Sequence, residues 1–287
     1  MLRLALLCAP ALALPQLRIL PLGDSLTFGC GSDAAPPTWY ACCTPSSGGY
    51  RAPLWAALNG SSLNATIQMV GTESSGPSWL PVGQRAHEGH PGWTISGIKT
   101  LQSKWVSVAP DVVLLMAGTT DVGQGHTNAT MLEDMTALLQ ALRASLPSAR
   151  ILVSSIYWLP QSSGFPDLSY TIRAYNAALP GLVAGIPGAA FVDIAGATGM
   201  CFGPSDPRVT LCAVCNGPCG GYNPNACPPK GYSYCHPSGA GYSLVGGVWA
   251  GALLPVLDEV LQAKLAASAG ALARGRAASH PAPIALG

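Results

Sequence analysis

Five short runs of aliphatic and β-branched residues recur along the chain without polar alternation, at 17–21, 66–70, 112–116, 151–155 and 190–194. A strand with one face in water alternates apolar and polar positions; an uninterrupted apolar strand is one buried on both faces, as in a parallel sheet. Between these runs lie segments of helical period. Residues 51–58 set Leu54, Trp55 and Leu58 on one side. Residues 131–146 gather Leu132, Met135, Leu138, Leu139 and Leu142, with Glu133 and Asp134 near the N-terminal end, where a helix dipole favours negative charge. Residues 168–182 and 247–266 have the same character. Strand and helix in alternation predict a three-layer α/β architecture with right-handed crossovers.

The regularity fails in three places. Residues 196–235 are rich in Gly, Pro and Cys and carry almost no period. A loop of that length inside a compact domain is functional or tied down. Residues 267–287, rich in Ala, Gly and Pro, read as a frayed tail. At the other end, Met1-Leu2-Arg3 precedes the apolar run 4–14, and Ala11-Leu12-Ala13 offers small residues at the positions a signal peptidase reads. The expected organisation is a leader at 1–13, one domain at 14–266 containing a Cys-rich insertion at 196–235, and the tail. The competing reading of the leader is an apolar N-terminus that stays and packs on the domain. The run is shorter than the roughly 20 residues that span a bilayer, and no later segment reaches that length without Gly, Pro or polar interruption.

Composition narrows the picture. Charged residues make up 9% of the 287, against roughly 25% in an ordinary soluble domain, while hydrophobic residues reach 49%. The sequons at Asn59, Asn64 and Asn128 offer another route to solubility if the chain is secreted and glycosylated. A net charge of +1 with no basic stripe argues against a nucleic-acid partner.

Of ten cysteines, Cys8 falls in the leader. The rest are Cys30, Cys42 and Cys43, then Cys201, Cys212, Cys215, Cys219, Cys227 and Cys235. In an oxidising compartment most of these form disulfides, with one left over. Cys212-x-x-Cys215 has zinc-ligand spacing, but no second such pair follows, and disulfides are the favoured reading. No metal and no cofactor is expected.

The chemistry gathers in four blocks. Gly23-Asp24-Ser25-Leu26-Thr27 directly follows the first apolar run. A serine there sits where a parallel sheet opens its crevice, beside backbone N–H groups able to meet an oxyanion. It is not a G-x-S-x-G elbow, and by itself it also reads as a turn capped by its own side chains. The others are His87-Glu88-Gly89-His90-Pro91-Gly92-Trp93, which runs into a Gly/His-rich loop at 90–94, Gly118-Thr119-Thr120-Asp121 closing a buried strand, and His236-Pro237-Ser238-Gly239 before the last helix.

In this order the blocks resemble the SGNH hydrolase superfamily, the GDSL esterases and lipases; the His87 to Trp93 stretch looks like its acetyl xylan esterase-like, carbohydrate-esterase branch. The resemblance covers about residues 17–265. It implies a flavodoxin-like, five-stranded parallel sheet between helices. It implies Ser25 as nucleophile and oxyanion donor, Gly92 as a second backbone donor, and His236 as the base. The substrate class implied is a small-molecule or polysaccharide ester, cleaved without a cofactor.

Two positions depart from the family pattern. Its oxyanion Asn falls on Thr120, whose hydroxyl reaches less far; losing one such donor costs on the order of 100- to 1,000-fold in turnover. Its acid, three residues before the histidine, falls on Ser233. Without a carboxylate on the far ring nitrogen, tautomer control and charge stabilisation both suffer, a loss of about 10,000-fold in a serine protease triad. A main-chain carbonyl, the Ser233 hydroxyl or Asp206 from the long loop are the substitutes, in that order. A domain that binds glycan or lipid without turning it over is therefore the alternative. Asp24 reads as bonding the turn's backbone, Asp121 as a brace at the strand end, and Trp39, Trp79 and Trp93 as either sugar platforms or core.

Overall fold

The computed structural model describes residues 14–31, 43–157, 169–199, 236–237 and 239–278. All five apolar runs are strands of one sheet: β1 (Gln16–Gly23), β2 (Thr66–Met69), β5 (Val112–Met116), β6 (Arg150–Ser154) and β7 (Ala189–Val192). They pair in parallel in the spatial order β2-β1-β5-β6-β7, the flavodoxin-like order. Every residue of β5 is buried, as its unbroken apolar sequence requires.

Two short strands were not expected. β3 (Glu73–Ser74) and β4 (Ala86–Gly89) form an antiparallel pair, and β4 continues beside β1 where β2 leaves off, matching Leu22 to Glu88 and Gly23 to Gly89. The residues just ahead of the Gly/His-rich loop at 90–94 are thus strand, through Gly89. Its polar side chains carry no apolar pattern; backbone bonds to β1 select it.

Eight of the helices follow in chain order: α1 (Ser25–Phe28), α2 (Arg51–Asn59), α3 (Ile95–Lys99), α4 (Gln102–Ser107), α5 (Thr119–Gly123), α6 (Asn128–Ser145), α7 (Ser169–Ala184) and α8 (Ile194–Thr198). The last is α9 (Gly239–Ala278). α3, α4 and α7 pack on α6, while α2 and α8 pack on α9, giving a helical layer on each side of the sheet. α6 begins ahead of its expected start because the Thr127 side chain caps it, accepting from the Thr130 N–H. Met131, Met135, Leu138, Leu139 and Leu142 form its buried stripe; Leu132, expected there, is only partly buried.

α9 corrects one expectation. It runs through Ala278, so helix replaces the first part of the frayed tail; its Ala-rich sequence has high helix propensity. Within its segment Gly239–Ala271 one 18-residue window has a mean hydropathy of 1.6, so by length and composition alone the helix is long and apolar enough to cross a membrane. The helix continues through Gly251 and Pro255, as the helical reading of 247–266 expected. The apolar content has a local use: Val245, Trp249, Leu253 and Leu257, spaced by four, are wholly buried in the core. At Gly246 the helix meets α2 so closely that a Cβ would lie 2.9 Å from the Tyr50 carbonyl oxygen and from Pro53 Cγ.

Candidate active site

The site lies at the carboxyl ends of β1 and β5, neighbouring strands from which the chain leaves in opposite directions across the sheet. That is where open α/β sheets form their crevice. β1 ends at Gly23, where a Cβ would fall 2.0 Å from the Met116 carbonyl oxygen, so only glycine lets the two strand ends close. The Asp24 carboxylate then accepts from the Leu26 N–H at 2.9 Å and caps α1, making Ser25 the first helical residue.

Ser25 Oγ lies 2.9 Å from Nε2 of His236, which the chain delivers just before α9. The residues are 211 positions apart. Tyr242 strengthens the approach: on the first turns of α9, its hydroxyl donates to the Cys30 carbonyl at 2.9 Å, just beyond α1. Burial lowers the His236 pKa to about 4. The imidazole is therefore neutral near pH 7, the form able to take a proton from Ser25.

The remaining predicted residues are placed as follows. Thr120, 6% exposed, stands in α5 at the end of β5. Gly92 is exposed in the turn after β4, with φ of +79° and open space where a side chain would project. That turn is pinned at the nucleophile's own strand, since the His90 N–H donates to the Gly23 carbonyl at 2.9 Å. Ser233 and Asp206, two of the three groups weighed for the far ring nitrogen, lie outside the described residues, as do the late cysteines, Cys42 and Trp39. Among the described residues Cys30 and Cys43 form a disulfide.

Asp121 does brace, but across a longer distance than the strand end. It accepts from the Ile95 N–H at 3.0 Å and lies 3.2 Å from His126 Nδ1. It thereby ties the Thr120 helix to the start of α3, just after the Gly92 turn. Burial raises its pKa, against the Ile95 N–H and His126. Burial likewise raises Asp24 to about 7, with Asp121 adding repulsion and the Leu26, Thr120 and Thr119 N–H groups opposing. For Glu88 burial also pushes up, but its bonds to His90 (2.8 Å) and the Thr72 N–H outweigh it, and the net shift is down. Trp93, 37% exposed, stacks at a tilt on His90, with ring centroids 4.7 Å apart.

Among the described residues two groups of side chains come close enough to hold a cation, Glu73 with Glu88 and His90, and Asp121 with His126 and Asp134. Other internal partners already engage one carboxylate or more in each: Lys104 on Glu73, the Thr72 N–H on Glu88 and the Ile95 N–H on Asp121. Sequence reasoning missed Arg51, wholly buried beneath α1. The available signal was a lone charge opening an otherwise apolar helix.

Parallel order β2-β1-β5-β6-β7, a serine opening the capped turn after β1 and a histidine returned to it from before α9 define an SGNH-type hydrolase fold. The family model described as GDSL-like Lipase/Acylhydrolase family matches residues 22–244, and the chain belongs to that family. A family 3 carbohydrate esterase of Clostridium thermocellum superposes with a TM-score of 0.60 at 26% identity, covering 86% of this chain and 99% of that one. A family 3 carbohydrate esterase from Talaromyces cellulolyticus shares the fold at 20% identity and a TM-score of 0.56, covering 85% of this chain and 99% of that one. A multidomain esterase of Ruminococcus flavefaciens is 28% identical over 181 residues, 56% of this chain. The match spans about a fifth of that relative, 22% of its length.

Proposed function

We propose that the chain is a secreted serine ester hydrolase that removes small acyl groups, acetyl among them, from carbohydrate through an acyl-serine intermediate. The observation that carries the reading is the 2.9 Å approach of Ser25 Oγ to a neutral His236 at the crevice of the sheet. Ser25 Oγ attacks the ester carbonyl carbon while His236 Nε2 takes its proton. The oxyanion meets the N–H groups of Ser25 and Gly92 and the Thr120 hydroxyl. Collapse breaks the bond to the alcohol, which leaves with the proton from His236. Water then repeats the sequence on the acyl-serine, releasing the carboxylic acid and restoring both side chains. The carbohydrate esterases among the structural relatives support the substrate class, and the leader-like start, the sequons and the Cys30–Cys43 bridge support secretion.

The test uses p-nitrophenyl acetate, acetylated xylan and a fluorophosphonate probe against wild type and Ser25→Ala. Turnover and labelling that vanish in the variant are expected. A folded wild type that neither labels nor turns over would move the reading to a glycan- or lipid-binding module, which Thr120 and Ser233 at the family's Asn and acid positions favour.

A further inference from the structure

We propose that Arg51 is a positioning residue for the nucleophile, its buried guanidinium locking the turn that carries Ser25 to the hairpin that delivers Gly92. The inference rests on the esterase reading and deepens it.

Arg51 opens α2 and is 0% exposed. Among the described residues no carboxylate lies in its hydrogen-bond shell, and burying a cation without one is costly. Carbonyls compensate instead. Nε donates to the Thr27 carbonyl and Nη2 to that of Phe28, each at 2.9 Å. These belong to α1, which ends without helical partners for its last carbonyls. The other contacts reach the hairpin and the loop before α2: Nη1 donates to the carbonyls of Ser75 (2.9 Å) and Arg85 (3.2 Å), Nη2 to that of Ser47 (3.0 Å) and to Ser75 Oγ (2.9 Å). Ser75 and Arg85 directly flank β3 and β4.

The network continues toward the site. The Gly89 N–H donates to His87 Nδ1 at 2.9 Å, so the ring proton sits on Nε2, which donates to Ser75 Oγ, also at 2.9 Å. Burial and the Arg51 charge keep His87 neutral. Hairpin and turn are in direct contact, for a Cβ on Gly89 would lie 2.3 Å from the Phe28 nitrogen. β4, by contrast, pairs with β1 only at Leu22 and Gly23. The guanidinium therefore supplies much of what holds Ser25 and Gly92 at one spacing. A misplacement of about 1 Å in such a pair costs on the order of 100-fold in turnover.

The experiment compares wild type, Arg51→Lys, Arg51→Ala and Ser75→Ala on p-nitrophenyl acetate, with circular dichroism and fluorophosphonate labelling rate on each. Arg51→Lys keeps the charge but not the fork. Its kcat is expected to fall about 100-fold with KM changed less than about threefold, and that of Ser75→Ala about tenfold. Low, non-denaturing guanidinium is expected to restore kcat about tenfold in Arg51→Ala. A folded Arg51→Lys with wild-type kcat, a loss confined to KM, or a folded Arg51→Ala that guanidinium does not rescue overturns the proposal. If neither Arg51 variant folds, full activity in Ser75→Ala overturns it and a loss in kcat alone upholds it. A wild type that fails to label sinks the esterase reading itself, and this inference with it.

Discussion

The acid limb of the pH profile tests the reasoning most directly, because the base is read as neutral for a structural reason. Burial holds His236 near pKa 4, where an ordinary histidine titrates at 6.5. At pH 5 a base of pKa 4 is about 90% neutral, and one of pKa 6.5 about 3%. Relative to its plateau, kcat/KM at pH 5 should stand about 30-fold above the value an unperturbed histidine allows. A pH-stat assay with triacetin or acetylated xylan avoids the weak absorbance of p-nitrophenol in acid.

Stability must be followed over the same range. His236 and His87, lowered to about 4 and about 2, bind fewer protons folded than unfolded, so each removes stability as pH falls below 6.5. Asp24, raised from 3.8 to about 7, binds more protons folded, so its contribution is lost as pH rises through that window. Between pH 4 and 6.5 two groups oppose one. The net effect of the three is a stability falling by on the order of 1 kcal/mol per pH unit of acidification. Glu88 and Asp121 shift in opposite directions and offset each other in sign. Activity normalised to folded fraction that still breaks between pH 6 and 7 would refute the argument that burial sets the base.

The other predictions concern single contacts. Thr120→Asn extends the side-chain donor by one heavy atom and should raise kcat, by up to about 100-fold if the hydroxyl falls short of the oxyanion; unchanged or lower kcat, measured by single-turnover acylation, counts against that role. Gly246→Ala forces a Cβ against the Tyr50 carbonyl and Pro53 and should cost about 1–3 kcal/mol in urea denaturation, with Gly247→Ala, which meets nothing within 4 Å, nearly silent. Replacing Cys30 and Cys43 together by Ser opens a loop of sequence separation 13 and should lower stability by about 3 kcal/mol; an unchanged urea midpoint would show that the bridge constrains nothing.

Much of the fold was legible because burial on both faces leaves a direct mark. The unbroken runs at 112–116 and 151–155 had to be interior parallel strands, and the spacing of Met135, Leu138, Leu139 and Leu142 had to be a helix on that sheet. The hairpin of β3 and β4 left no such mark, since backbone bonds to Leu22 and Gly23 hold its few polar residues. The length of α9 was legible in part: 247–266 read as helical, with Trp249, Leu253 and Leu257 on one stripe, but the turns added at either end did not.

The chemistry divides along the same line. Ser25 and His236 were singled out because the short blocks around them resemble the SGNH pattern, and such blocks are local in sequence. Their 2.9 Å approach across 211 positions, and the enclosure that keeps the imidazole neutral, exist only once the layers close. Arg51 is the extreme case. In sequence it is one cation at the head of an apolar helix; folded, it takes the carbonyls of Thr27, Phe28, Ser47, Ser75 and Arg85, which no local pattern brings together. Side-chain period records which face of an element is buried. It carries no record of which distant backbone groups will converge on a single buried charge.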